Sequence, residues 1–136
     1  TRLVDATRPG GFDFLGYHFE RGQKWPRRKA LDRFKDKVRE RTPRSSGESM
    51  EATIASLNDM LRGWFGYFKH SSRDRLDGLD SYIRGRLRSI LRKRMGRRGR
   101  GRGYDHQRWR NHYFDELGLF SLTRAHVSAR LSPQGV

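Results

Sequence analysis

Residues 54–68 carry apolar side chains at the spacing of an α-helix, and no other stretch constrains the fold as strongly. The apolar positions share one side of that helix and form a single stripe: Ile54, Leu57, Leu61, Trp64, Phe65 and Phe68. Because only 33% of the sequence is hydrophobic, this stripe is the densest apolar surface that the chain offers. We therefore predict a central helix against which the other elements pack.

Two glycines, Gly63 and Gly66, interrupt the same helix, where each costs about 1 kcal/mol relative to alanine. That cost is offset if the missing side chains allow another element to approach the backbone. Aromatic side chains at this density usually pack together. The predicted core therefore comprises Leu57, Leu61, Gly63, Trp64, Phe65, Tyr67, Phe68, Leu79, Ile83 and Leu87.

Strand signals occur only near the start of the chain. Residues 12–19 alternate between aromatic and polar or small side chains, which is typical of a β-strand. Residues 20–23 then have the composition of a turn into a second, shorter strand that ends near Trp25 and Pro26. We predict one short β-hairpin at the N-terminus.

Helical patterns occupy the rest of the chain. Residues 29–41 carry Leu31, Phe34 and Val38 on one face, and Ser49 is placed to cap the central helix. Ser71 and Asp74 have the spacing of a capping box for the following helix, whose buried face is expected to contain Leu76, Leu79, Ile83, Leu87 and Ile90. A last helix is expected over 104–117, with fraying from about residue 128. The fold class is therefore mainly α: a small helical bundle preceded by a short N-terminal β-hairpin.

The charge balance restricts the partners of this chain. Its 31 Lys and Arg residues exceed its 15 Asp and Glu residues and give a net charge of +16. Self-repulsion of this size indicates a polyanionic partner, with nucleic acid ahead of an anionic membrane surface. No apolar run approaches the roughly 20 residues that a bilayer span needs, and no membrane partner is expected.

Basic residues lie at three places where phosphates are easily reached. Arg27, Arg28 and Lys29 begin a predicted helix, where backbone N–H groups and cations meet. A second helix carries a basic stripe that is predicted to face away from the core: Arg84, Arg88 and Arg92, with Arg86 and Lys93 on its flank. A glycine-rich tract follows it and contains Arg97, Arg98, Arg100 and Arg102. We predict phosphate contacts by all twelve. Arginine–glycine tracts suit irregular RNA, so RNA is favoured over DNA, although charge alone does not separate the two.

Catalytic chemistry has no recognisable pattern here. The absence of cysteine excludes disulfides, Cys-ligated zinc and a thiol nucleophile. The five histidines are scattered, and none has the i, i+4 partner of a helical metal site. We expect no catalytic residue, no metal and no cofactor.

Several motifs, in order along nearly the whole chain, resemble one family. The segment 14–19, followed by Trp25, resembles the last sequence block of the reverse-transcriptase palm. Five short motifs between residues 57 and 88 resemble the maturase-specific region of group II intron-encoded proteins. They are Leu57-Asn58, Leu61-Arg62-Gly63-Trp64, Tyr67-Phe68, Leu79-Asp80 and Ile83-Arg84-Gly85-Arg86-Leu87-Arg88. Residues 109–122 are similar to the tail common in bacterial members.

This resemblance implies a division of the chain and a partner. Residues 1–28 would be the end of the palm, 29–95 the thumb and maturase helices (domain X), 96–103 an Arg/Gly-rich linker, and 104–136 the last maturase helix and tail. In that family the palm hairpin is a primer grip, formed here by Phe14, Leu15, Gly16 and Tyr17. The resemblance implies group II intron RNA as the partner, which proteins of this family help to fold and splice. It also implies two further partners: template–primer nucleic acid, and the palm and fingers of the reverse transcriptase.

Departures from the family pattern limit the implied activity. The polymerase Tyr-x-Asp-Asp block is missing, so this chain alone is not expected to be an enzyme. We read it as a C-terminal part of such a protein from the bacterial cytoplasm. Two alternatives stay open: part of a complete RNA-directed DNA polymerase whose palm lies elsewhere, or a generic basic nucleic-acid-binding module.

Overall fold

The computed structural model describes residues 10–96 and 104–131 of the chain. A small antiparallel sheet, in the order β1-β2-β3, precedes the helices. The elements are β1 (Phe12–Phe14), β2 (Tyr17–Glu20), β3 (Gln23–Pro26), α1 (Arg28–Arg41), α2 (Met50–Phe68), α3 (Arg73–Arg94), α4 (Tyr104–Arg108), α5 (Asn111–Glu116) and α6 (Leu122–Leu131). The predicted fold class, a mainly α bundle behind a short β-hairpin, is confirmed.

The hydrophobic core lies where α1, α2 and α3 meet, with α5 and α6 closing one side. The apolar side chains that are at most 1% exposed are Phe34, Val38, Ile54, Leu57, Leu61, Leu76, Ile83, Leu87, Ile90, Phe114 and Leu122. Phe68 and Leu79 are also buried, whereas Trp64 and Phe65 are half-buried and pack against the core. The apolar stripe of α2 is therefore the surface that α1 and α3 cover.

Three residues of α2 do not take the place predicted for them. Gly63 and Gly66 are exposed, and a Cβ built on either would meet nothing within 4 Å. Tyr67 is 54% exposed. A helix turns by about 100° per residue, which places all three away from the stripe that contains Leu57 and Leu61. The glycines therefore permit no close approach, and neither Gly63 nor Tyr67 belongs to the core.

The N-terminal sheet has one more strand than the sequence predicts. The chain reverses at Leu15 and Gly16, whose φ angles of 53° and 85° belong to a tight two-residue turn. Arg21 and Gly22 form a second turn of the same kind, with φ angles of 50° and 78°. The alternation over 12–19 predicted one strand because a two-residue turn leaves the aromatic spacing almost unchanged.

One predicted helix start is confirmed, and a tertiary contact shifts another. Ser49 caps α2 as predicted, with its Oγ accepting from the Ala52 N–H at 3.1 Å. The N-cap of α3, however, is Ser72, which makes no side-chain cap bond, so the capping box predicted from Ser71 is wrong. The Ser72 N–H donates instead to the Lys24 carbonyl at 2.8 Å, and docking on β3 sets the start of α3.

The C-terminal region also differs from its prediction. The expected helix over 104–117 is divided into α4 and α5, and residues 128–131, where fraying is expected to begin, belong to α6, which continues to Leu131. Both differences result from contacts that side chains of α3 make with the C-terminal region. Residues 132–136, which the same expectation includes, lie outside the described residues. No helix in the two described ranges is long and apolar enough to cross a bilayer.

Candidate nucleic-acid interface

The junction between β3 and α1 presents cations without acidic neighbours in sequence. Arg27 is the N-cap of α1, and its backbone N–H donates to the Gly16 carbonyl at 2.8 Å. No acidic residue lies in the first turn of α1, and Arg28 and Lys29 are exposed. The positive end of α1 therefore has three cations beside it, which suits a phosphate.

The same helix continues this positive surface toward the end of α2. Arg33 and Lys37 are exposed, and within residues 10–96 and 104–131 no hydrogen bond or ion pair engages their side chains. With Arg27 they line a cleft of about 280 Å³ between α1, α2 and the β1–β2 turn, which we term the α1–α2 cleft. Its other walls are Gly16, Ala30, Phe34, Trp64, Tyr67 and Phe68.

Aromatic side chains connect this cleft to the sheet. The rings of Trp64 and Phe68 stack with centroids 4.6 Å apart, and the Tyr17 ring lies 5.2 Å from Phe68 and 6.1 Å from Tyr67. The Tyr17 hydroxyl donates to the Tyr67 carbonyl at 2.7 Å, and burial raises the pKa of the Tyr17 phenol. Of the predicted primer-grip residues, Tyr17 thus packs between the sheet and α2, whereas Phe14 and Leu15 are exposed.

Arg88 does not lie on a surface stripe, and that prediction is wrong. Its side chain is 4% exposed, and its guanidinium donates to the Trp109 carbonyl at 2.8 Å and to Asn111 Oδ1 at 2.9 Å. Burial, followed by the nearby charge of Arg84, lowers the pKa of Arg88. The guanidinium satisfies the backbone where α4 ends and α5 begins, which explains why the predicted last helix is divided there.

Other basic residues of α3 also bind groups inside the protein. Arg86 donates to the Thr42 carbonyl at 2.7 Å, and Arg92 pairs with the buried Asp105 at 2.5 Å. Lys93 is exposed and 3.3 Å from Ser45 Oγ, and half-buried Arg84 donates to Ser81 Oγ at 3.2 Å. The C-terminal half of α3 therefore uses cations to hold the α1–α2 loop and α4. Arg97, Arg98, Arg100 and Arg102 lie outside the described residues.

Two polar side chains that sequence reasoning missed hold the C-terminal segment. Asp80 of α3 accepts from the backbone N–H groups of Leu122 and Thr123 at 2.9 and 3.0 Å and so caps α6. Asn58 of α2 donates to the Gly118 carbonyl and accepts from the Phe120 N–H, both at 2.8 Å. Both are at most 8% exposed. The sequence does contain a signal for both residues, because each is a polar residue on an otherwise apolar helix face.

The described ranges contain no group of three or more His, Asp or Glu residues that could hold a metal ion. What these ranges do contain is a small helical bundle with exposed cations at the start of α1, next to an aromatic-lined cleft that Arg27, Arg33 and Lys37 also line. That arrangement defines a basic helical domain suited to a polyanionic ligand.

The comparison with known protein families is specific. Residues 31–113, more than half of the chain, match the family described as "Group II intron, maturase-specific domain". The chain belongs to this family. The match runs from α1 into α5 and includes Asn58, Asp80 and Arg88. A search of curated proteins returns no match. The maturase-specific domain is not catalytic by itself, and membership implies an interaction with intron RNA in general terms.

Proposed function

We propose that this chain is the RNA-binding maturase part of a group II intron-encoded protein, which helps the intron RNA to fold and splice. The observation that carries the proposal is the match of residues 31–113 to the maturase-specific domain. The positive surface on α1 supports it physically, because phosphate contacts by cations supply most of the affinity for nucleic acid.

The proposed RNA contacts are the exposed or half-exposed cations of the described surface. Arg27, Arg28 and Lys29 form one group, and Arg84 and Lys93 on α3 form a second. Arg97, Arg98, Arg100 and Arg102 remain proposed contacts on sequence grounds alone. Arg88 is not among them because it is buried, and Arg86 and Arg92 primarily join parts of the bundle.

A division into functional segments accompanies this proposal. Residues 1–28 would be the end of a reverse-transcriptase palm, 29–95 thumb and maturase helices, 96–103 a linker and 104–136 a terminal maturase segment. The parent protein would then be an RNA-directed DNA polymerase of the bacterial cytoplasm that clamps template and primer. The exposed Phe14 and Leu15 support this part, since they offer apolar surface beside the proposed palm boundary.

Competition binding tests the proposed function. Labelled group II intron RNA would be bound by the full chain over a salt series, with a scrambled RNA of equal length as the competitor. We expect a preference for the intron RNA that survives at the higher salt concentrations, because shape recognition is less screened than phosphate attraction. Equal competition that disappears with salt would leave only a generic basic nucleic-acid binder.

Primer extension separates the polymerase part of the proposal from RNA binding. The chain alone is expected to extend no primer, because it lacks the polymerase aspartates. Addition of a separately expressed palm and fingers is expected to restore extension on a template–primer. If the palm and fingers are equally active without this chain, the proposed clamping role is wrong, whereas the maturase role is tested by the competition experiment.

A further inference from the structure

The α1–α2 cleft combines cations with an aromatic wall. Arg27, Arg33 and Lys37 line it together with Trp64 and Tyr67, and none of its lining residues is acidic. Positive charge concentrated in a cleft with low-dielectric walls attracts anions more strongly than the same charge on an open surface. The lining therefore favours a ligand that has both a negative charge and a flat apolar part.

The exposed ring of Tyr67 is held in place before any ligand binds. Its hydroxyl donates to the Leu15 carbonyl, and its own carbonyl accepts from the Tyr17 hydroxyl. The neighbouring Tyr17 and Phe68 rings support the tyrosine from within the protein, at centroid distances of 6.1 and 4.7 Å. A ring that is already ordered and 54% exposed loses little entropy when a ligand stacks on it.

The size of the cleft restricts the ligand further. Its volume of about 280 Å³ lies just below the range of about 300–1,000 Å³ that is typical of small-molecule sites. A cleft of this size favours a small ligand such as a single base. A nucleotide also supplies the required pair of features, because its base stacks on an aromatic ring and its phosphate binds cations.

We propose that the α1–α2 cleft binds one unpaired nucleotide of an RNA strand, with the base stacked against Tyr67 and the phosphate beside Arg33 and Lys37. This inference rests on the proposed function and specifies the chemistry of one contact. Trp64 forms the inner wall, and Arg27 lies where the strand enters next to the β1–β2 turn. The cleft thus binds an unpaired nucleotide regardless of which base it carries, since every base has a face that can stack.

A fluorescent base reports on this contact directly. The probe is a short single-stranded oligoribonucleotide with one central 2-aminopurine, whose emission falls when the base stacks. We expect the full chain to quench it and Tyr67→Leu to bind it roughly 5- to 150-fold more weakly, the span expected for a lost stacking contact. Tyr67→Phe keeps the ring and should retain quenching. Tyr113→Leu removes a half-buried tyrosine ring of α5, outside the cleft, and is the matched control.

Charge variants keep the test valid if a Tyr67 substitution disturbs the fold. Arg33→Gln with Lys37→Gln should lower the slope of log K against log salt for the probe by about two, or one per lost phosphate contact. Arg39→Gln, on the same helix but outside the cleft and paired with Asp36, should preserve both the quenching and the salt slope. Unchanged binding and quenching in both the Tyr67→Leu and the charge variants would overturn the proposal, as would equal competition by a fully paired duplex.

The outcomes are independent of the test of the proposed function. If intron RNA outcompetes scrambled RNA but the cleft variants bind the probe normally, only the cleft assignment is wrong. If the cleft variants fail as expected while intron and scrambled RNA compete equally, the cleft binds unpaired RNA but the maturase function is wrong.

Discussion

The guanidinium of Arg88 has an environment unlike that of a solvated arginine. It lies against the Phe114 ring, with its Cζ 5.3 Å from the ring centroid, and donates to two acceptors where α4 gives way to α5. A buried charge is tolerated only when such partners compensate for its lost hydration. Arg88 therefore contributes to the fold through the backbone that it satisfies.

Substitution of Arg88 by methionine separates this structural role from a role in RNA binding. Arg88→Met removes the donors and leaves the Trp109 carbonyl and Asn111 Oδ1 without this partner. Each buried group left unpaired costs about 1–3 kcal/mol. Urea unfolding should show that loss of stability, whereas Arg28→Met, at an exposed position, should stay within about 0.5 kcal/mol of wild type. If Arg88→Met is as stable as wild type, the structural role of Arg88 is wrong and a role in RNA binding is open again.

Asp80 acts as a helix cap contributed by a different helix. Both carboxylate oxygens are used, one by the Leu122 N–H and the other by Thr123 N–H and the Ser121 hydroxyl. The first N–H groups of a helix have no intrahelical partner, and a carboxylate there also interacts favourably with the helix dipole. This single residue of α3 thus determines where α6 starts.

Removal of that cap should destabilise the C-terminal segment. Asp80→Ala is expected to cost about 0.5–2 kcal/mol, the usual range for a lost N-cap. Asp77→Ala is the matched control, because Asp77 is an exposed carboxylate one turn earlier on the same helix. Urea unfolding gives the free energies, and amide exchange of α6 shows where the loss occurs. Equal effects of the two substitutions would contradict the capping role.

Among the elements of the fold, the three-stranded sheet contains a histidine that contacts side chains of all three strands. His18 of β2 has its Nδ1 2.7 Å from Asp13 of β1 and its Nε2 3.0 Å from Glu20. These contacts, that with Glu20 first, raise the pKa of His18. The Trp25 ring of β3 lies 5.3 Å from His18 and carries Arg75 of α3 on its face, at 4.1 Å. Protonation of one side chain therefore influences how all three strands are held.

The sheet should be more stable in mild acid than at pH 8. A folded-state pKa above the unfolded value means that the stabilisation is complete below the unfolded pKa of about 6.5 and is lost as the pH rises through the folded pKa. Amide exchange in 12–26, measured on both sides of that window, should show the effect. His18→Gln should remove this pH dependence, and Glu20→Gln should bring the His18 pKa closer to its ordinary value in an NMR titration. A pH dependence that persists in His18→Gln would assign it to another group.

At the scale of the whole molecule, the net charge of +16 has two uses. Part of the positive charge is internal, where Arg86, Arg88 and Arg92 connect segments that are distant in sequence. A second part lies on the α1 surface, where Arg28 and Lys29 have no side-chain partner in the described part of the chain. The cations of this second group can neutralise phosphates without weakening the bundle.

The salt dependence of RNA binding measures this second group. The double variant Arg28→Gln and Lys29→Gln should lower the slope of log K against log salt by about two, or one per lost phosphate contact. Its unfolding free energy should match that of wild type, because both side chains are exposed. Arg39→Gln serves as the control, since Arg39 already pairs with Asp36 at 2.9 Å. An unchanged slope in the double variant would place the RNA elsewhere.

The helices that form the core follow from local patterns of apolar residues. The period of apolar residues in α1, α2 and α3 is a local property, and it correctly indicated the buried faces that contain Phe34, Leu57 and Ile83. Ser49 was recognisable for the same reason, because a cap acts on N–H groups only a few residues away. The family resemblance rested on such local motifs as well.

Tertiary structure alone decided how the polar residues are used. Arg88, Asp80 and Asn58 find partners 21 to 62 positions away, so no window of local sequence shows whether such a side chain meets solvent or backbone. An arginine inside a basic run looks like surface until another segment packs over it. Burial of a charge depends on the whole fold, because its lost hydration must be replaced by groups that folding brings together.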